Sequence, residues 1–170
     1  MSTFIDDFIE ESGMKFGAFA KDVRFKVENS QIHKSLGKGF KIVEFIALKE
    51  NRIIFVEAKS KGFIPNISVE YLDSKIKDIA EKFENSADLF LSVYIKWQAD
   101  KYSEIGDRLL NANYSKITGI FYLVINGADD SICMELTKML QAKLKRKLTI
   151  HNFNLLVINN ITASEYGLIS

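Results

Sequence analysis

Residues 41–60 read KIVEFIALKENRIIFVEAKS, two apolar runs joined by a short polar turn. Charged residues lie inside both runs, Glu44 in the first and Glu57 and Lys59 in the second. The turn at Glu50-Asn51 predicts a β-hairpin with a loop of two or four residues, and both loop lengths give the same register. That register sets Glu44 directly opposite Glu57. It also pairs Ile42 with Lys59, Ile46 with Phe55, and Leu48 with Ile53.

Side chains alternate between the two faces of a strand, so Glu57 and Lys59 are expected on the same face. Two carboxylates about 5 Å apart repel each other by about 3 kcal/mol at an effective dielectric constant of about 20. A divalent cation between Glu44 and Glu57 would reverse the sign of that interaction. Mg²⁺ prefers oxygen ligands, and an adjacent ammonium suits a phosphate oxygen or a water molecule. The hairpin therefore predicts a metal site.

An acid on one strand followed by Glu-x-Lys on the next resembles the PD-(D/E)xK superfamily of restriction endonucleases and related DNA-processing enzymes. The resemblance implies that Glu44 and Glu57 hold Mg²⁺, or Mn²⁺, together with the backbone carbonyl of Ala58. It implies that Lys59 is the catalytic lysine, which activates or orients the attacking water. The sequence departs from the motif at Val43, where the motif name has Pro, and at Glu44, where Asp is usual.

An ordinary ion pair of Lys59 with Glu44 or Glu57 on a solvated face is the alternative interpretation. The apolar character of the face argues against it, because a covered face would place the acids at the rim of a core. The apolar residues expected on that face are Ile42, Ile46, Leu48, Ile53 and Phe55.

Residues 2–12 have the pattern of a short amphipathic helix with Phe4, Ile5, Phe8 and Ile9 on its apolar side. Glu11 lies at the edge of that side. In the resembled family a helix before the sheet often supplies an additional acid, so Glu11 becomes a candidate catalytic residue; a surface carboxylate at a helix end is the alternative. Residues 14–28 are predicted as a strand, and the hairpin strands follow at 40–48 and 52–59.

The second half of the chain alternates helical and strand patterns. Residues 67–84 predict an amphipathic helix, continued or followed by another helix as far as Trp97, with Lys75 and Lys82 at the flanks as solvated or DNA-facing lysines. A buried strand is expected at 117–125, a helix after Asp129 or Asp130, and a strand at 153–158. The expected fold class is α/β with a mixed β-sheet flanked by helices on both faces. By resemblance it is a restriction endonuclease-like αβββαβ core with an added helix and strand.

Length and composition set further bounds. A chain of 170 residues predicts a single domain spanning 1–170. A net charge of +1 lacks the bulk positive field of a nucleic-acid coat, although a local patch would suffice for DNA. The basic cluster at 143–147 fits either a helix C-terminus or a phosphate contact. The single cysteine, Cys133, excludes an internal disulfide, and the absence of a leader or long apolar run predicts a cytoplasmic protein without a membrane partner.

The sequence contains no Gly-rich phosphate loop, zinc-binding cluster or hydrolase elbow motif. The leading expectation is a Mg²⁺-dependent endonuclease that hydrolyses phosphodiester bonds in DNA, in a restriction, phage-defence or repair context. The alternative is a catalytically inactive nuclease-fold module that binds nucleic acid or protein as a subunit of a larger complex. By analogy with restriction enzymes a homodimer is also expected. A third interpretation is an unrelated α/β protein in which Glu-x-Lys is accidental.

Overall fold

The computed structural model describes residues 8–63, 68–97 and 103–170. Within these ranges the chain forms seven strands and five α-helices. The strands are β1 Ile9–Glu11, β2 Met14–Phe16, β3 Arg24–Lys26, β4 Phe45–Lys49, β5 Arg52–Lys59, β6 Thr118–Ile125 and β7 Phe153–Asn159. The helices are α1 Gln31–Ser35, α2 Val69–Tyr94, α3 Asp107–Leu110, α4 Asp130–His151 and α5 Asn160–Glu165. None of the described helices is long and apolar enough to cross a membrane.

The central sheet has five strands in the order β3-β4-β5-β6-β7. The pairs β3–β4 and β4–β5 are antiparallel, and β5–β6 and β6–β7 are parallel, so the predicted mixed sheet is confirmed. The predicted hairpin register is confirmed along β4, where Ile46 pairs with Phe55 and Leu48 with Ile53. A two-residue loop, Glu50-Asn51, closes the hairpin.

Both long helices pack on the same face of the sheet. The helix α2 connects β5 to β6, and α4 connects β6 to β7, so the two crossovers step across the sheet in the same direction. Crossovers of the usual right hand then bring both helices to one side. Phe55 on β5 packs with this layer, while its neighbours Ile54 and Val56 belong to the core on the opposite face. The predicted alternation along β5 is confirmed.

The opposite face is covered mainly by the β1–β2 hairpin, which packs with the six-residue helix α5 and the C-terminal segment. Helices were expected on both faces of the sheet, and on this face the described chain has one short helix, α5. Phe16 of β2 makes an edge-to-face contact with Phe45 of β4, with ring centroids 5.4 Å apart. This small hairpin brings residues near the N-terminus to the central sheet.

The predicted helix at 2–12 is wrong where the structure describes it. Ile9–Glu11 is a strand that pairs with Met14–Phe16, and residues 2–7 lie outside the described part of the chain. The two strands are joined by Ser12-Gly13, with φ of 52° and 75°. Two consecutive positive φ values are characteristic of a type I′ hairpin turn, which glycine accommodates at little cost. Burial of Ile9 and Phe16 against the sheet outweighs the local helical pattern.

One other boundary differs from the sequence expectations, because the predicted strand at 14–28 is divided into β2 and β3 by a 3₁₀ turn at Lys21–Val23. Of the two alternatives for the region from 67 to Trp97, the continuous helix is confirmed: α2 runs through Asn85-Ser86 as one helix of 26 residues that ends at Tyr94. These polar residues are used in tertiary contacts: Ser86 Oγ accepts from Val43 N at 2.9 Å, and Asn85 Nδ2 donates to Lys41 O at 2.9 Å. The later elements β6, α4 and β7 lie where the sequence predicts them.

Candidate metal centre at the end of the sheet

The candidate site residues converge at one end of the central sheet. Glu57 and Lys59 lie near the end of β5, Glu44 immediately precedes β4, and Glu28 follows β3 by two residues. Since β3 and β5 run in the same direction, these positions share an edge with the end of β6. Open α/β sheets commonly bind ligands beyond the carboxyl ends of their strands.

The backbone around Glu44 departs from the predicted register. Val56 pairs with Phe45, and its carbonyl also accepts from Glu44 N at 3.1 Å. Two residues of one strand therefore face one residue of the other, as in a β-bulge. The expectation that Glu44 lies directly opposite Glu57 is wrong, because the bulge offsets the ladder by one residue. The expected pairing of Ile42 with Lys59 lies beyond the start of β4 and is also not formed.

A second irregularity brings Glu28 to the same place. Glu44 O accepts from both Val27 N, at 3.1 Å, and Glu28 N, at 3.3 Å. The carboxylate oxygens of Glu11, Glu28 and Glu44 consequently lie within 4.8 Å of one another. Such a group of oxygen ligands suits a hard divalent cation. Sequence reasoning included Glu11 and Glu44 but missed Glu28.

Glu11 reaches the cluster from β1 rather than from the predicted helix. The turn that follows β1 is fixed to the end of β6, because Asn126 Nδ2 donates to Ser12 O at 3.1 Å. The carboxylate of Glu11 is also 3.6 Å from Lys26 Nζ on β3. The predicted residue is therefore part of the acidic group, although the element predicted to carry it is wrong.

Glu28 and Glu44 share a hydrogen bond between their carboxyl groups. Burial raises the pKa of Glu44 to about 9, assisted by that hydrogen bond and by the negative charges of Glu57, Glu28 and Glu11. The same hydrogen bond, as the largest cause, lowers the pKa of Glu28. The raised pKa of Glu44 and the lowered pKa of Glu28 favour a proton on Glu44, shared with the Glu28 carboxylate, when no cation is bound.

Glu57 is completely buried and close enough for its negative charge to act on Glu44, but it is not one of the three carboxylates that lie within 4.8 Å of one another. Its Oε1 is 2.6 Å from Lys59 Nζ and 2.7 Å from Lys82 Nζ. The ion pair of Lys59 with Glu57, which the sequence offered as the alternative interpretation, is thus present. Lys82 belongs to α2 and points inward, with its side chain 18% exposed, so the expectation of a solvated lysine is wrong. Its contact joins two elements that are distant in sequence, and periodicity alone could not reveal it.

Both central acids keep an oxygen without a hydrogen-bond partner. Among the described residues, Glu44 Oε2 and Glu57 Oε2 are buried side-chain oxygens for which no hydrogen-bond partner is found. Buried polar atoms are normally satisfied, because leaving one unpaired costs about 1 to 3 kcal/mol. A cation coordinated by these oxygens would supply the missing interaction. The donor set therefore fits a divalent ion.

The backbone carbonyl of Ala58 is directed toward the same region. On β5, the carbonyl of Val56 faces β4 and accepts from Glu44, whereas the carbonyl of Lys59 faces β6 and accepts from Asn126 N. Successive carbonyls of a strand point to opposite sides, so that of Ala58 points toward the β4 side. Since β4 begins only at Phe45, this carbonyl faces the space next to Glu44.

Two other basic residues form ion pairs away from the acidic group, and the single cysteine is buried in a helix. Lys41, close to Glu44 in sequence, pairs with Asp78 and Glu81 of α2 at 2.8 and 2.9 Å. In the basic cluster at 143–147, Lys147 lies 2.7 Å from Asp88. Cys133 is buried on α4, and burial raises the pKa of its thiol.

No family model, curated protein or solved structure matches this chain.

Proposed function

We propose that this chain is a metal-dependent nuclease with a restriction endonuclease-like PD-(D/E)xK core, which hydrolyses phosphodiester bonds in DNA. The observation that carries the proposal is a pair of buried oxygens near the ammonium of Lys59, Glu44 Oε2 and Glu57 Oε2, which have no hydrogen-bond partner among the described residues. The cofactor would be Mg²⁺ or Mn²⁺. A cytoplasmic location and a restriction, phage-defence or repair context are part of this proposal, as is assembly into a homodimer.

In this proposal Glu44, Glu57 and the carbonyl of Ala58 hold the ion, while Glu11 and Glu28 offer additional carboxylates. When bound there, such an ion would supply polarisation of a phosphate oxygen and a lowered pKa of a water molecule. Glu44 must lose its proton for this binding to occur, and the proton would pass by way of the neighbouring Glu28 carboxylate to solvent. The acids thereby couple ion binding to proton release.

Lys59 has the role of orienting the attacking water or stabilising the phosphate. Its side chain is 27% exposed, whereas that of Glu57 is completely buried, so the ammonium stands between the buried acid and solvent. During hydrolysis the water oxygen bonds to phosphorus as the bond to the leaving oxygen breaks. Negative charge develops on the phosphate oxygens, and a positioned ammonium stabilises that charge.

A second candidate is a non-catalytic module that binds nucleic acid or protein within a larger complex. The contact of Lys59 and Lys82 with the same oxygen of Glu57 favours it, because two ammonium groups can compensate the buried charge without any ion. The two candidates differ in whether the chain cleaves DNA.

A plasmid-nicking assay with Mg²⁺, Mn²⁺ or EDTA tests the proposal. We expect the parent protein to cut with either metal, and we expect EDTA, Glu57→Gln and Lys59→Ala each to abolish cutting. Glu135→Gln changes an exposed acid on α4 and serves as the matched control that retains activity. Equal cutting by the parent and Glu57→Gln would remove the site from the chemistry. A folded parent protein that cuts with neither metal would favour the second candidate.

A further inference from the structure

A cavity of about 540 Å³ opens next to the acidic group and is lined on one side by Lys21, Arg24 and Lys26. Glu28 lines it as well, and Glu28 is also one of the three clustered carboxylates. The cavity and the candidate metal centre therefore share a wall. Its volume lies in the range of small-ligand sites, about 300 to 1,000 Å³.

The three basic residues come from adjacent parts of the chain. Lys21 lies in the 3₁₀ turn before β3, and Arg24 and Lys26 occupy alternate positions of β3 itself. Phe25 between them is buried in the helix-side core, so Arg24 and Lys26 project from the other face of the strand. The strand β3 is the last of the described sheet, and the segment 103–106 lies along its outer edge, where Gly106 N donates to Arg24 O at 3.0 Å. That segment forms the opposite wall of the cavity.

Among the described residues, the acids of the cavity form no short ion pair with Lys21 or Lys26. The two oxygens of Glu104 accept from Gln31 N at 2.7 Å and Ile32 N at 3.2 Å, so its charge is directed at the start of α1. Glu28 is hydrogen bonded to Glu44. In the described part of the chain Lys21 forms no salt bridge, and the one that Lys26 forms, with Glu11, is long at 3.6 Å.

We propose that this cavity binds the phosphodiester backbone of one nucleic-acid strand on one side of the scissile phosphate. The inference rests on the proposed function, which supplies the scissile phosphate at Glu44 and Glu57. The strand would pass Lys21 and Lys26 before it reaches the metal centre. Lys26 would exchange its long contact with Glu11 for a phosphate oxygen when Glu11 turns to the ion. A cavity of about 540 Å³ lies in the size range of small-ligand sites and so fits a short stretch of a single strand.

Fluorescence anisotropy with a labelled single-stranded DNA oligonucleotide tests this inference in the full chain. Measurements are made with EDTA and with Ca²⁺, whose oxygen-ligand preference neutralises the acids. We compare Lys21→Ala/Lys26→Ala with Lys145→Ala/Arg146→Ala, a pair of exposed residues on α4. Both double variants remove two positive charges. A difference in their affinity for the oligonucleotide therefore shows where the DNA binds.

We expect the cavity variant to weaken binding about tenfold or more, and to reduce the slope of log K against log salt by about 1.4, since each phosphate contact on a single strand contributes about 0.7. The α4 variant should stay within about twofold of the parent, because solvent screens charges remote from the ligand. If the double variant does not fold, as judged by circular dichroism, the single variant Lys21→Glu at the exposed turn replaces it.

Equal weakening by both double variants, or parent-like binding by the cavity variant, would overturn the inference. Binding of inorganic phosphate but not of the oligonucleotide by the parent protein would also overturn it. Calorimetry with the metal ion on the same samples tests the proposed function separately from this inference. Loss of oligonucleotide binding in the cavity variant supports the inference even if no ion binds, and unaffected oligonucleotide binding overturns it even if the ion binds normally.

Discussion

Lys82 of α2 reaches into the end of the sheet and places its Nζ 2.7 Å from Oε1 of the fully buried Glu57. The contact ties the long helix to the strand that carries the Glu-x-Lys motif. Lys59 occupies the same oxygen at 2.6 Å, so the buried carboxylate has two cationic neighbours. This arrangement explains how Glu57 can remain in the core before an ion is bound.

Replacement of Lys82 by Met should destabilise the metal-free protein by about 1 to 3 kcal/mol, because Glu57 loses one of its two charge partners. The same change should strengthen Mg²⁺ binding, since one competing cation is removed. Urea unfolding in EDTA and calorimetry with Mg²⁺ measure the two effects. The exposed Lys77 of α2, changed to Met, is the control. Unchanged stability of Lys82→Met would show that the ion pair contributes nothing to Glu57 burial.

Ser86 of α2 fixes the position of the backbone segment next to Glu44. Its buried hydroxyl accepts from Val43 N at 2.9 Å, so Ser86→Ala would leave that backbone donor unsatisfied. We expect a loss of about 1 to 3 kcal/mol in the free energy of unfolding, together with weaker metal binding. Ser92→Ala on the same helix is the control, because Ser92 Oγ bonds only within α2, to Leu89 O among the described residues. Similar losses in the two variants would argue against a specific role for Ser86.

The stability of the metal-free protein should fall as the pH rises from about 5 to about 9. The pKa of Glu44 is raised from 4.5 to about 9, so the folded chain keeps a proton that the unfolded chain releases above its own pKa. The contribution is complete below the unfolded value and is lost as the pH passes the folded value. Its slope is at most about 1.4 kcal/mol for each pH unit. The lowered pKa of Glu28 affects stability at low pH. Its contribution to the free energy of unfolding is present above the pKa of the unfolded chain and is lost as the pH falls through the folded value.

Urea unfolding in EDTA at several pH values measures this slope in the parent and in Glu44→Gln. The variant cannot ionise at this position and should show a flatter profile across the same range. Mg²⁺ should raise stability more at high pH than at low pH, because binding requires the deprotonated acid. A parent profile as flat as that of the variant would contradict the protonated state of Glu44.

Glu28 is the site residue that the sequence did not predict, and its replacement by Gln should weaken Mg²⁺ binding about tenfold, the effect typical of groups that ligate or support a metal. Glu10→Gln is the matched control on the exposed side of β1. Calorimetric titration with Mg²⁺ compares the affinities of the two variants. Equal affinities in Glu28→Gln and the parent would place Glu28 outside the metal centre.

The parts of the fold that depend on local pattern were predictable. The β4–β5 hairpin follows from its turn and its alternating apolar residues, and the amphipathic spacing of Ile76, Ile79 and Phe83 gave the position of α2. The hairpin at the start of the described chain was missed, although Ser12-Gly13 is a turn signal. Its strands have three residues each, too few for period-2 alternation to compete with a helical pattern.

Only part of the residue group at the end of the sheet was predictable from the sequence. The motif predicted that Glu44, Glu57 and Lys59 lie at one end of the hairpin, yet the bulge at Glu44 depends on how three strands meet and not on the sequence of any one of them. The same is true of Glu28, which approaches Glu44 because two successive amides bond to one carbonyl. Lys82 joins the site through the packing of α2 on the sheet. Contacts of this kind arise from tertiary structure, and one sequence contains no periodic signal for them.

The most direct measurement is calorimetric titration of Mn²⁺ and Mg²⁺ into the parent, Glu57→Gln and Glu135→Gln. The account predicts that an ion binds to the parent and to Glu135→Gln with similar affinity and that binding is lost in Glu57→Gln. The reason is that Glu57 Oε2 is one of the two buried carboxylate oxygens without a hydrogen-bond partner among the described residues. Absence of binding to the folded parent, or equal binding to Glu57→Gln, would contradict the metal centre and the nuclease proposal with it.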